Sequence, residues 1–188
     1  MSFRVLVIPE DPTYNGYILK PIVKRMLSEL DKPNAYVKVL DSPKLNGYPH
    51  AVSAIRRDLV DRYKHLFDLW LFLPDGDRAS NLEALESELA GQGVHLFCCA
   101  AVPEVEAWLL AGHRDKLSLF WGDVRQHRHL KEDIFEPFLA QFGESRSPGG
   151  GRERLVREAL ANYRGLLSVC SELAELEGRL RTFLAQST

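Results

Sequence analysis

Four short apolar runs, at residues 5–8, 36–40, 69–73 and 94–98, constrain this chain more than any other feature. Each is four or five residues long and gives way to turn-forming or polar residues, the pattern of a buried strand. The stretches between them carry a helical period. Residues 19–30 put Ile22, Val23, Met26, Leu27 and Leu30 on one face, and Pro21 fits only a first turn, which predicts a helix starting near residue 19. Residues 51–66 repeat the period with Ala54, Ile55, Leu59 and Tyr63, and residues 81–89 do so with Leu82, Leu85 and Leu89 behind Ser80 as N-cap. Strands alternating with helices predict a doubly wound α/β fold: a mainly parallel four-stranded sheet with right-handed crossovers and helices on both faces.

After Cys99 no further strand is expected. Residues 104–111, 134–142, 152–163 and 166–184 all read as helix, so the last third is helical. The expected division is an α/β core over residues 1–112 and a helical extension over 113–188 packed on it. Leu166, Leu167, Leu173, Leu176, Leu180 and Leu184 are expected to pack back on that core, with a helix-mediated homodimer as the alternative. Residues 143–151, with Pro148 and three consecutive glycines, predict a loop that is either a plain connector or a substrate grip bearing Arg146 and Arg152.

A chain of 188 residues suits one core with an appendage. Lys and Arg number 24 against 26 for Asp and Glu, so overall charge gives no basis for sequence-independent nucleic-acid binding, and any such binding needs a local patch. Cys98, Cys99 and Cys170 offer no Cys-x-x-Cys spacing and read as buried packing residues of a reducing, cytoplasmic compartment. No apolar run approaches a membrane span, and Met-Ser-Phe-Arg leading directly into the run at Val5 predicts no signal sequence.

Ligands of open parallel sheets collect beyond the C-terminal strand ends. The first run ends in Pro9-Glu10-Asp11 and the third in Pro74-Asp75-Gly76-Asp77, so carboxylates of Glu10, Asp75 and Asp77 are expected to converge. Asp-Gly-Asp in a tight turn presents hard oxygen ligands suited to Mg²⁺ or Mn²⁺, although such acids also cap helices. Pro103-Glu104-Val105-Glu106 follows the fourth run; a helix N-terminus accounts for Glu104, while Glu106 is expected to face the sheet end as a fourth acid. Lys20 and Arg78 lie near these acids and are candidate phosphate partners. The run Arg125, His127, Arg128, His129 and Lys131, behind Phe120 and Trp121, is a solvated face or a nucleic-acid grip in which Arg128 and Lys131 contact substrate. Phosphate-cradling glycine motifs and Ser/His/Asp hydrolase motifs are absent.

A Glu after the first strand, Glu10, and Asp-x-Asp after a later one, Asp75 and Asp77, make the first 110 or so residues resemble a Toprim domain, a Rossmann-like fold. Pro103-Glu-Val-Glu-Ala-Trp-Leu-Leu110 is similar to a motif of small stand-alone Toprim-related bacterial proteins linked with ATPases in phage defence. The resemblance implies a metal-dependent nuclease, akin to the nuclease domain of overcoming-lysogenization-defect proteins, acting on DNA or RNA. Glu10 would be a metal ligand or general acid/base, Asp75 and Asp77 would hold Mg²⁺ or Mn²⁺, and Glu106 would complete a second position. The chain departs from the family where the usual Gly after the first Glu is replaced by Asp11, followed by Pro12, which stiffens the turn. Two other readings follow from the same residues: a catalytically silent module that binds an ATPase partner, and a receiver-like domain phosphorylated on Asp75.

Overall fold

The computed structural model describes residues 2–76 and 80–186. Four strands, β1 (Arg4–Pro9), β2 (Tyr36–Val39), β3 (Leu69–Leu73) and β4 (Leu96–Cys98), form one parallel sheet in the order β2-β1-β3-β4. Alternation along β1 and β3 divides the core in two. Val5, Val7, Leu69 and Leu71 face one layer, whereas Leu6, Ile8, Trp70 and Phe72 face the other. A strand buried on both faces needs an unbroken apolar run, and β3, Leu-Trp-Leu-Phe-Leu, is one.

The first layer holds α1 (Gly16–Glu29) together with helices of the C-terminal third. The second holds α2 (Tyr48–Ala54), which runs through a π-helical stretch (Ile55–Leu59) into α3 (Val60–Tyr63), and α4 (Leu82–Gly91). Beyond β4 come α5 (Glu106–Ala111), α6 (Trp121–Arg125), a π-helical stretch (Lys131–Phe135) leading into α7 (Glu136–Phe142), α8 (Arg152–Leu160), α9 (Tyr163–Leu167) and α10 (Ser171–Gln186). Leu173, Leu176, Leu180 and Leu184 of α10 are buried in the chain's own first layer. Among the described residues, no helix is long and apolar enough to cross a membrane.

Two local expectations are corrected. Helix α1 starts at Gly16, so Pro21 lies inside it rather than in its first turn. An internal proline costs about 3 kcal/mol. The helix also buries Ile18, Leu19, Ile22, Val23, Met26 and Leu27, at ~1.5–3 kcal/mol for each large apolar side chain, and that gain outweighs the proline. The N-cap of α4 is Asn81, not Ser80; Asn81 sits at φ 55°, a conformation that asparagine tolerates better than most residues.

Candidate functional site

Strand β1 lies between β2 and β3, so successive connections leave it in opposite directions and a crevice opens at the C-terminal ends of β1 and β3. Pro9 is in register with Leu73, which brings Glu10 and the Pro74-Asp75 segment out side by side. Glu10 is buried, and both its carboxylate oxygens are engaged by backbone donors: Oε1 accepts from Tyr48 N–H at 3.1 Å, at the start of α2, and Oε2 from Asp75 N–H at 3.3 Å. Asp11 turns away into its own loop, its Oδ1 accepting from Thr13 N–H at 2.8 Å.

Asp75 is half-buried and continues the pairing of β3 through a parallel bridge to Ala101. Its Oδ1 accepts from Val105 N–H at 2.9 Å, just before α5, so this carboxylate also meets a helix start. Gly76 makes the approach possible: a Cβ there would stand 2.4 Å from the Ala101 carbonyl oxygen, and Gly76 N–H donates to Pro103 O at 2.8 Å. That bond brings the 101–106 segment against the end of β3.

Two further carboxylates are thereby brought in. Glu106 is 2% exposed, and burial, then the neighbouring Asp75, push its carboxyl above the usual range. Its own backbone N–H, Lys131 and Arg152 oppose that rise, with Lys131 Nζ 4.0 Å from Glu106 Oε1. Burial, then Glu106, Asp75 and Glu132, push Glu104 up to about 7, against one backbone bond from Lys131 N–H to its Oε2 at 3.1 Å. Arg152, also buried, lies 4.4 Å from the Tyr14 ring centre and 5.3 Å from that of Phe135, and its Nη1 donates to Gly149 O at 2.8 Å. The cluster therefore combines crowded carboxylates with a buried guanidinium and a lysine that offset part of their charge.

The other expected residues are distributed differently. Lys20 is exposed on α1, beside the loop that follows Glu10. Arg128 is exposed in the turn after α6. Lys131, a candidate substrate contact, places its ammonium 4.0 Å from Glu106 because the π-helical stretch carrying it packs near α5. Arg125 is a structural residue: Nη1 and Nη2 donate to the two Glu172 oxygens at 2.7 and 2.8 Å, and Trp108 Nε1 donates to Glu172 Oε1 at 2.8 Å. Trp121 is likewise tied down, donating to Val169 O, whereas Phe120 is 86% exposed. Asp77 and Arg78 lie outside the described residues.

In the sequence Glu104 belongs to a helix start, and Arg152 opens the 152–163 helical stretch beside the glycine loop, as a candidate substrate grip. The signal for Glu104 was the Glu-x-Glu spacing after Pro103; no local signal marks Arg152 as its neighbour. Among the described residues, no group of three His, Cys, Asp or Glu side chains is arranged to hold a metal ion. No protein-family model, curated protein or solved structure matches the chain.

Proposed function

We propose that this protein is a Toprim-like, divalent-metal-dependent phosphodiesterase acting on nucleic acid. The observation that carries the reading is that Asp75, at the end of β3, stands beside both Glu10, at the end of the adjacent parallel strand β1, and Glu106, in the segment after β4. The sheet order and the helices on its two faces support the finer description of the fold as a doubly wound Toprim/Rossmann-like core, with residues 113–188 as its helical extension.

The donor set fits Mg²⁺ or Mn²⁺, because carboxylate oxygens are hard ligands and crowding leaves Glu104 and Glu106 short of positive charge. In this reading Asp75, Glu10, Glu106 and Asp77 would supply the ligands, and the three described carboxylates would have to draw together around an ion, since as they stand they are not arranged to hold one. A bound ion of this kind supplies Lewis acidity and a water of lowered pKa. The protein's part is orientation: Tyr48 N–H and Asp75 N–H fix the Glu10 carboxylate, and Val105 N–H fixes that of Asp75. Lys131 and Arg152 offset the remaining charge beside Glu106.

The test is cleavage of labelled single-stranded DNA and RNA with Mg²⁺ or Mn²⁺, comparing the parent with Asp75→Asn and Glu106→Gln. The parent should cleave, and Asp75→Asn should lose about 100-fold or more, since even outer partners of metal ligands cost up to ~100-fold. A parent that neither cleaves nor binds Mn²⁺ by calorimetry overturns the reading. One observation favours a second reading: Glu10 and Asp75 each accept backbone N–H bonds, the work of structural caps. In that reading the fold is a silent interaction module for a partner such as an ATPase, and Asp75→Asn lowers stability with no cleavage to lose.

A further inference from the structure

A groove of about 770 Å³ runs along α1 and reaches the loop that follows Glu10. Its inner end is formed by Pro12 and Thr13, in the loop that follows Glu10, and by the end of β2. Tyr17, Lys20, Lys24 and Arg25 of α1 make one wall, with Arg157 of α8 on the other. The lining carries these four cations against two carboxylates, Asp41 and Glu153, although the whole chain has a net charge of -2. Local charge is thus opposite in sign to the total, which is the condition the composition sets for polyanion binding.

Two of the four cations are already used within the chain: Arg25 pairs with Glu29 at 2.7 Å and Arg157 with Glu153 at 2.6 Å. Lys20 and Lys24 are both exposed, with no ion pair among the described residues. They stand four apart on one helix face, where like charges repel, and a bridging anion removes that repulsion. Tyr17, one turn earlier, is 38% exposed. The backbone of Gly149 packs against its ring: a Cβ at that position would lie 2.6 Å from Tyr17 Cγ, and φ is +64°. The glycine loop thus supports an aromatic side chain at the groove.

We infer that this groove binds single-stranded nucleic acid, its phosphates on Lys20 and Lys24 and a base on Tyr17, and so leads the strand to the acidic cluster. The inference rests on the phosphodiesterase reading and names its substrate form. At a rise of about 1.5 Å per helical residue, Lys20 and Lys24 stand about 6 Å apart along α1, close enough to hold neighbouring phosphates of one strand. An unpaired base is free to stack on an aromatic ring, whereas a base inside a duplex is not.

Binding is measured without cleavage, by fluorescence anisotropy of a labelled single-stranded 20-mer with the full chain in EDTA, from 50 to 200 mM NaCl. Lys20→Ala/Lys24→Ala should weaken binding and flatten the slope of log affinity against log salt by about 1.4, at ~0.7 per phosphate contact on a single strand. Lys20→Arg/Lys24→Arg should retain the slope, and Tyr17→Ala should weaken binding by about fivefold or more. Arg57→Ala/Arg62→Ala removes equal charge from exposed positions in the opposite helical layer and should change affinity by less than about twofold. Equal losses in the Lys20/Lys24 and Arg57/Arg62 variants, an unchanged slope, or a duplex bound as tightly as the single strand would overturn the groove. A parent that cleaves while the Lys20/Lys24 variant binds normally sinks the groove alone; groove-dependent binding without metal-dependent cleavage sinks the enzyme reading alone.

Discussion

Replacing Glu104 by Gln should stabilise the metal-free protein near pH 8 and leave it little changed near pH 5. The Glu104 carboxyl is raised from 4.5 to about 7, first by burial and then by Glu106, Asp75 and Glu132. Below pH 4.5 the folded and unfolded chains both hold this proton. Between 4.5 and 7 the folded state keeps it while the unfolded chain releases it, so stability falls as pH rises, and above 7 the loss is complete. At about 1.36 kcal/mol per pH unit the ceiling is about 3.4 kcal/mol. Glu104 is only half-buried, and solvent screening reduces this to about 1–2 kcal/mol. Gln retains an oxygen that can accept the Lys131 N–H bond and carries no charge to repel Glu106. Thermal unfolding in EDTA at pH 5, 6, 7 and 8 reads the difference, which should widen with pH to about 2–8 °C for a chain of this length. Comparing variant with parent cancels the contributions of every group the two share. A difference that stays flat with pH, or a variant less stable than the parent at pH 8, would refute the crowding of these carboxylates.

Glu172→Ala should cost about 3 kcal/mol in urea unfolding, because it strands the Arg125 guanidinium and the Trp108 N–H in a site where both ionic side chains are less than a fifth exposed; a loss below about 1 kcal/mol would assign the pair to the screened surface class. All three cysteines should react slowly with a thiol reagent at pH 8 until the protein is unfolded. Burial pushes every one of these thiols up, Cys170 to about 12. Rapid labelling of any of them in the native protein contradicts that account.

The strands were legible because their signal is local. The apolar run at residues 69–73 forms β3 over the same span, and the acids that follow it and β1 meet because parallel strands in register must end together. Strand β4 starts later than its run suggests, since Val94 N–H still bonds back to Leu89 O to close α4. The basic run after Trp121 divides by partner for a related reason: charge along a sequence does not reveal which members have partners, and Arg125 finds Glu172 from 47 residues away while Arg128 stays exposed.

The sequence by itself determined the alternation of strand and helix, the two apolar faces of the sheet and the strand ends that carry Glu10 and Asp75. Periodicity records which face of an element avoids water, and that property belongs to each segment alone. Only the tertiary structure decided that Glu104 and Glu106 share their surroundings with Lys131 and Arg152, and that Lys20 and Lys24 border a groove. Those neighbours depend on how α5, α8 and the π-helical stretch pack together. A charge's partner is set by close packing between distant segments, which no local pattern encodes.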